Sequence, residues 1–433
     1  LRGLTVSGFR ADGPGGAIFC DGGDLTLENC RFNGNTSEPT EQTPLAQDEV
    51  LNEARGGAIW VYGGMLAVDD CMFGNNQALG EIYSFGVTAP DSRLSPDSYG
   101  GAIAAVDTVV GLRRSYFLGN IAQSGGLRDS TGSFGISGTR AGGAVFLQGC
   151  ESSLISECRF LDNTVEFGGV GALRSLSDRP ADGGAIAFYD CENAVVFGSE
   201  FLNNEAALGL RSFPRWDPAD SRGGAIFADR VVEVTSNLFR GNVVSSSQVA
   251  RGGALCALGG SVVRDCQFID NFASEAEIVW RSLESTEFRF GEAQGGAIHV
   301  QQGVNLERCL FSGNRVINTV RMHKIFAYGD RLEVWGSRTA IGSAVWSSGI
   351  SSILQCGFEA NGRNVSGWIA TDRVPIDGQT PTTFSIIPNG IHAQDISPSN
   401  MPDPTKFRET HQLGTAPTVL FMGRLQARKG VDV

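Results

Sequence analysis

One short pattern recurs along most of the chain: Gly-Gly-Ala and an aliphatic residue open each copy, and Phe-x-x-Asn closes it. The openings begin at Gly15, Gly56, Gly100, Gly142, Gly183, Gly223, Gly252 and Gly295, with a degenerate copy at Gly342. The closing Phe residues are Phe32, Phe73, Phe117, Phe160, Phe201, Phe239, Phe268, Phe311 and Phe358. A recurrence in this range of periods is typical of a solenoid.

The two halves of each repeat differ in how much their lengths vary. The first Gly and the Phe are always 16 to 18 residues apart, whereas 9 residues separate the Asn from the next Gly-Gly in one repeat and 18 to 27 in the others. A stacked coil has this property, because its strands must register with their neighbours while one corner can bulge outward. We interpret Leu4–Asp12 as the closing half of an earlier unit, with Phe9 as its Phe and Asp12 replacing Asn.

The half of constant length has the pattern of strands. In Leu25–Phe32 the alternation of apolar residues is interrupted once, which predicts two short strands with a bend between them. The residue after Gly-Gly-Ala is always aliphatic, so we expect it to face inward, and the Gly pair to form a tight corner. The sequence therefore predicts an all-β parallel β-helix with two or three strands per coil. Ten coils would give a rod about 48 Å long.

The alternating Gly-Gly-Ala and Phe-x-x-Asn motifs resemble the repeats of the polymorphic outer-membrane protein family. The resemblance covers residues 1–361. It implies a right-handed parallel β-helix displayed on a bacterial surface, so we expect an extracellular, cell-surface or outer-membrane location.

Three further residue types recur at fixed places. Cysteine lies two residues before the Phe at Cys30, Cys71, Cys158, Cys266, Cys309 and Cys356. Without a Cys-x-x-Cys motif, this row predicts a buried stack of small side chains rather than a metal site. Cys20, Cys150, Cys191 and Cys256 could form disulfides in an exported protein, with no connectivity implied. We interpret the Asn residues as an internal ladder at a left-handed corner, and the Phe residues as a stacked core column.

A possible ligand stripe follows the inward aliphatic row. If the strands alternate, this next row faces outward and could stack on sugar rings, or the insertions could cover it. We favour the cover. Its aromatic and histidine members are Phe19, Trp60, Phe146, Phe227, His299 and Trp346.

The variable segments, such as Thr36–Arg55, Gln77–Tyr99 and Arg315–Ile341, are predicted to emerge at one corner and form a continuous edge. Solenoids place recognition on such an edge. We expect this edge to bind a carbohydrate or a host or cell-surface protein.

Catalytic and metal-binding patterns do not stand out in the repeats. A β-helix lyase or hydrolase needs carboxylates from adjacent coils, with a basic residue or calcium, and the one Asp pair is Asp69-Asp70. The four histidines are far apart in sequence, and we expect His299 to lie at the surface. We assign no catalytic residue, metal or cofactor to the repeats.

A second pattern occupies residues 383–433, after a bridge over residues 362–382. Ile387-Pro-Asn-Gly390 and the later Gly423-Arg-Leu with Lys429-Gly resemble the C-terminal Rossmann-like domain of retaining glycosyltransferases with the GT-B fold. The resemblance implies that Gly423, Arg424 and Lys429 contact the diphosphate of a nucleotide sugar. The chain ends one strand into that domain, so we expect the given segment alone to be inactive as a transferase.

Composition excludes some functions. The net charge of −13 and the pI near 4.9 argue against nucleic-acid binding, and no apolar run approaches the roughly 18 residues of a membrane span. The main hypothesis is an adhesin-like binding scaffold, secreted or exposed on a surface. The alternatives are a nucleotide-sugar-dependent glycosyltransferase with the β-helix as an accessory domain, and a polysaccharide lyase or hydrolase.

Overall fold

The computed structural model describes residues 1–38, 53–80, 83–84, 97–124, 127–128, 139–167, 180–207, 220–246, 249–275, 292–318, 340–341, 344–348, 352–359, 361 and 370–371. These residues contain strands and turns and no helix. The strands form five large parallel sheets, which we call sheets I to V in the order in which one repeat passes through them.

Sheets I, II and III enclose the main core. Sheet I consists of Ile18–Asp21, Ile59–Tyr62, Ile103–Val106, Val145–Gln148, Ile186–Tyr189, Ile226–Ala228, Leu255–Ala257, Ile298–Val300, Val345–Ser347 and Ala370–Thr371. Sheet II consists of Leu25–Glu28, Met65–Asp69, Val109–Arg113, Ser152–Ser156, Asn193–Phe197, Val232–Thr235, Ser261–Arg264, Val304–Glu307 and Ser352–Leu354. Sheet III consists of Thr5–Ser7, Arg31–Asn33, Met72–Gly74, Tyr116–Leu118, Arg159–Leu161, Glu200–Leu202, Leu238–Arg240, Gln267–Ile269, Leu310–Ser312 and Gly357–Glu359.

Sheets IV and V flank the variable segments. Sheet IV consists of Arg10–Ala11, Thr36–Ser37, Gln77–Leu79, Ile121–Ser124, Thr164–Phe167, Glu205–Ala207, Val243–Ser246, Phe272–Glu275 and Arg315–Asn318. Sheet V consists of Ala54–Arg55, Ser98–Tyr99, Arg140–Ala141, Ala181–Asp182, Ser221–Arg222, Val249–Arg251, Glu292–Gln294 and Ala340–Ile341. A separate two-stranded sheet joins Tyr83–Ser84 to Leu127–Arg128.

Neighbouring strands in each large sheet come from successive repeats and pair in parallel. The pairing is in register with the motif: Phe73 lies opposite Phe32 and Phe117, and Ile103 lies opposite Ile59 and Val145. The architecture is consistent with a parallel β-helix. The sequence predicts two or three strands per coil, whereas a coil here has five. The strands of sheets IV and V are too short, at two to four residues, to show an alternating pattern.

The core column of Phe rings is confirmed. Rings of successive repeats from Phe32 to Phe358 stack at centroid separations of 4.7–5.1 Å and are parallel within 8°. The aliphatic row of sheet I also faces inward, and its members from Ile59 onward are fully buried. The first unit differs from its predicted alignment, because Val6 pairs with Phe32 and Arg10 with Thr36. Phe9 therefore stands at the Asn position, and its side chain is exposed.

The Asn residues form a continuous buried ladder. From Asn76 onward, the Oδ1 atom of each Asn accepts hydrogen bonds from the backbone N and the Nδ2 of the Asn in the preceding repeat, as in Asn163 to Asn204 at 3.1 and 2.9 Å. Nδ2 also donates to the backbone carbonyl of the Phe in the preceding repeat, at 3.0 Å from Asn204 to Phe160. The left-handed residue at this corner is the one before the ladder Asn, for example Asn203 at φ 53°, so our placement of that conformation on the Asn itself was wrong.

Each glycine of the Gly-Gly pair is required for a different reason. The first has φ between 62° and 75° in the eight repeats that carry the full motif. The second lies against the next repeat: a Cβ on Gly224 would be 2.1 Å from the carbonyl oxygen of Gly253. This spacing leaves no room for a side chain.

All ten cysteines are free thiols, and nine of them are buried. The six that precede the Phe row lie in the main core, as predicted. Cys150 and Cys191 also lie in that core, on successive repeats. In the bridge, Ala370–Thr371 pairs with Trp346–Ser347 and extends sheet I beyond the last Phe-x-x-Asn motif.

Replacing the second glycine should destabilise the rod. Gly224→Ala forces the backbones of two repeats apart, and we expect a loss of about 1–3 kcal/mol in the free energy of unfolding measured in urea. Gly111→Ala is the control, because a Cβ there meets no atom within 4 Å and φ is not left-handed. Equal stability of the two variants would contradict the close-approach argument.

Breaking the Asn ladder should also lower the free energy of unfolding. Asn204→Ala leaves the backbone N and Nδ2 of Asn163 buried without their acceptor, and each such group costs about 1–3 kcal/mol. Asn193→Ala removes an exposed Asn whose Nδ2 reaches Glu151 O at 3.0 Å, and it should change stability by less than about 0.5 kcal/mol. Thermal and urea unfolding of both variants measures the difference.

Candidate functional site

The predicted ligand stripe is covered rather than open. Trp60, Phe146, Phe227, His299 and Trp346 are buried, whereas Phe19 is 50 % exposed and stacks on Trp60 at 4.6 Å. Only Phe19 among the six therefore offers a face to a sugar ring in this structure.

Sheet V forms much of the cover over the stripe. The Tyr99 ring of sheet V packs against the Phe146 ring at a centroid distance of 4.5 Å and a tilt of 38°, and the Arg222 guanidinium lies 4.2 Å from the centre of the Phe227 ring. From Trp60 onward this row is therefore covered, and the cover includes the strands at the ends of the insertions. The sequence missed this because two-residue strands carry no periodic signal.

A charged cluster lies within the space between sheets I and V. Arg222 donates to both carboxylate oxygens of fully buried Asp182, with Nε 2.6 Å from Oδ1, and the Tyr189 hydroxyl also contacts that carboxylate. Burial lowers the pKa of Arg222, but the Asp182 carboxylate outweighs it, so the net pKa is raised. Burial and the same carboxylate raise the pKa of Tyr189. At neutral pH Arg222 is therefore charged and the Tyr189 hydroxyl is uncharged.

Arg140 is a fully buried arginine between sheets IV and V. It occupies a row that otherwise holds Ala and Ser, and its Nη1 donates to Ser124 Oγ at 3.1 Å. Burial lowers the pKa of Arg140 to about 10, while Asp182 acts in the opposite direction. The guanidinium therefore remains charged at neutral pH.

The third polar group brings together Cys256, His299 and Gln294. Cys256 Sγ lies 3.6 Å from His299 Nδ1, and His299 Nε2 lies 3.1 Å from Gln294 Oε1. Trp346 stacks on the imidazole at 4.2 Å. Our expectation of a surface position for His299 was wrong, because sheet V covers this row. Cys256 and His299 occupy the same place in consecutive repeats, and that signal could have paired them.

Burial sets the protonation of this group. It raises the pKa of the Cys256 thiol to about 12. It also lowers the pKa of His299 well below its usual range, aided by Arg251 and Arg222. At neutral pH the pair is therefore an uncharged thiol beside an uncharged imidazole.

The remaining predicted positions divide into two groups. Asp69 pairs with Arg114, and Asp70 takes a left-handed corner at φ 51°, so this Asp pair has structural roles. Gly423, Arg424, Lys429, His323, His392 and His411 lie outside the described residues, as does all of the segment 383–433. Across the described ranges, no three His, Cys, Asp or Glu side chains are grouped as a metal site requires.

An open groove lies on the outer face of sheet II. Its volume is about 440 Å³, and its walls include Leu154, Val195, Phe197 and Glu233. Glu233 is engaged by Arg264 at 3.3 Å, and both side chains are partly exposed. The groove is a surface depression whose lining also includes Arg113, Ser156, Glu157 and Thr235.

The variable segments share one edge. Each leaves the rod at a strand of sheet IV and returns at a strand of sheet V, and both sheets are in register between repeats. The predicted insertions Thr36–Arg55, Gln77–Tyr99 and Arg315–Ile341 thus begin and end in paired strands, while their central parts, apart from Tyr83–Ser84, lie outside the described residues.

Comparisons with protein-family models, curated proteins and solved structures found no match to this chain. In the part of the chain that the structure describes, no helix is long and apolar enough to span a bilayer.

The buried imidazole predicts a pH dependence of stability. Because the folded-state pKa of His299 is lowered, its contribution to stability is complete above the unfolded pKa and is lost as the pH falls below it. His299→Phe keeps a planar ring against Trp346 and removes this titration. Between pH 7.5 and 5.5 the native chain should lose about 1.4 kcal/mol more than the variant in urea unfolding. Parallel curves would contradict the assignment.

Proposed function

We propose that the chain is a secreted or surface-exposed binding scaffold with adhesin-like function. It would be a right-handed parallel β-helix of about ten coils, of the polymorphic outer-membrane protein type. The contact surface would be the edge at which the variable segments leave sheet IV and return to sheet V. Its partner would be a carbohydrate or a host or cell-surface protein.

The observation that supports this proposal is the length of one connection. Ser246 of sheet IV and Val249 of sheet V are joined by residues 247–248 alone. Two residues are therefore enough to close a coil of this rod. Every other connection between these sheets is longer, for example residues 208–220 between Ala207 and Ser221. The additional residues are not needed for closure, which favours a role in recognition.

The dense packing of the interior also favours ligand binding on the outside of the rod. The Phe column, the Asn ladder and the cysteine row fill the main core, and sheet V covers the outer face of sheet I. The buried ionic groups between sheets I and V are engaged with one another, as in Asp182 with Arg222 and Tyr189. A macromolecular ligand would therefore meet the edge and the outer faces rather than an internal site.

A segment-exchange experiment tests the proposal. Residues 168–179 and 209–219 are each replaced by Ser-Gln, the connection found at 247–248, so that each shortened coil keeps the register of the native short coil. Because that connection already closes a native coil, we expect unchanged circular dichroism and a similar unfolding midpoint. Binding to glycan arrays and to immobilised extracellular proteins should fall at least tenfold.

The control replaces exposed Phe197 by Ala on the outer face of sheet II, away from this edge. It should leave the same binding signals unchanged. Full binding after removal of both segments, or cleavage of a polysaccharide by the intact chain, would overturn the proposal.

A further inference from the structure

Three side chains from two repeats form a line beneath sheet V. Cys256 Sγ lies 3.6 Å from His299 Nδ1, and His299 Nε2 lies 3.1 Å from Gln294 Oε1. Cys256 and His299 are directly paired neighbours in sheet I, so the register of the fold fixes their separation. Gln294 lies in sheet V, five residues before His299.

The partners determine where the protons lie. An amide oxygen accepts but cannot donate, so Gln294 Oε1 places the imidazole proton on Nε2. The neutral ring then presents a lone pair at Nδ1, toward the Cys256 thiol. A thiol next to the free nitrogen of an oriented imidazole is the arrangement that activates a cysteine nucleophile.

A partly exposed ion pair lies in sheet V, near Cys256. The sheet V residue five positions before Cys256 is Arg251, whose guanidinium contacts the Asp220 carboxylate. Both side chains are about one-quarter exposed, so water reaches this pair. Ion pairs of this kind contribute little to stability, and the strand Val249–Arg251 is only three residues long. Displacement of Arg251 therefore requires a local opening only.

We propose that Cys256 is a gated nucleophilic thiol: movement of Arg251 away from Asp220 uncovers it, and His299 accepts its proton as it attacks a soft electrophile. With an alkyl halide, the Cys256 Sγ–C bond forms, the C–halogen bond breaks, halide leaves, and the thiol proton moves to His299 Nδ1. Gln294 is a positioning residue that holds the tautomer. The inference is independent of the proposed binding function.

Cys266 provides a matched reference within the same repeat. It is also fully buried, but its Sγ contacts the carbonyl oxygens of Arg264 and Val234 at 3.0 and 3.5 Å rather than an imidazole. It belongs to the main core, whereas Cys256 belongs to the cluster under sheet V. Alkylation of Cys266 thus requires disruption of the rod, whereas alkylation of Cys256 requires only the local opening.

The test alkylates the full chain with iodoacetamide and follows each cysteine by peptide mass spectrometry. At pH 7 we expect Cys256 to react at least tenfold faster than Cys266. Between pH 6 and pH 8 the Cys256 rate should change less than about threefold, because His299 takes the proton, while an unassisted thiol speeds up about a hundredfold.

Two variants separate activation from access. His299→Phe keeps the stack on Trp346 and should slow Cys256 about tenfold at pH 7 while restoring a steep pH profile. Asp220→Asn releases Arg251 and should speed Cys256 severalfold while Cys266 stays unchanged.

Three results would overturn the inference. They are equal rates for Cys256 and Cys266, a Cys256 rate indifferent to His299→Phe, and an Asp220→Asn effect of the same size on both cysteines. If His299→Phe fails to fold, the pH profile of the native chain and the Asp220→Asn comparison still decide the question.

Discussion

The close approach of successive backbones at the Gly-Gly corner is the constraint on which the rest of the structure depends. A Cβ on the second glycine would lie 2.0–2.1 Å from the carbonyl oxygen of the next repeat, as at Gly143 and Gly184. This contact holds each repeat at one height above its neighbour. The register it sets is what brings like residues together in the Phe column and the Asn ladder.

Exact stacking has a chemical consequence, because each buried side chain meets the residue at the same place in the next repeat. An Asn satisfies this condition, since its amide both donates and accepts and can repeat without end. A charged residue needs a partner of opposite charge: Arg222 and Arg251 are neighbours in sheet V, and they pair with Asp182 and Asp220. Asp182 is accordingly opposite Ala141 and Arg222 in sheet V, and it pairs with Arg222. The same rule places Cys256 against His299, where a thiol and an imidazole complement each other.

The core of the rod provides stability, and the variable segments provide the proposed recognition surface. Sheets I to III bury one continuous core, and changes there affect every neighbouring repeat. Sheets IV and V pack through small residues such as Ala206 and Ala250, and they anchor both ends of each connection. A segment can therefore change in length without altering the register. The covered space under sheet V lies next to these anchoring strands. Binding at the edge and opening at Cys256 therefore both involve the short strands of sheet V.

The sequence by itself determined the repeat, the inward aliphatic row, the Phe column and the Asn ladder, because each is a periodic pattern that only a parallel, in-register stack satisfies. It also indicated which half of the repeat is variable. It did not determine the five strands of a coil, the burial of Trp60 and His299, or the alignment of Val6 with Phe32. Those features depend on which sheet covers which face. The strands of sheet V, with two or three residues each, carry too little pattern for that to be predicted, and only the tertiary contacts between sheets I and V decide it.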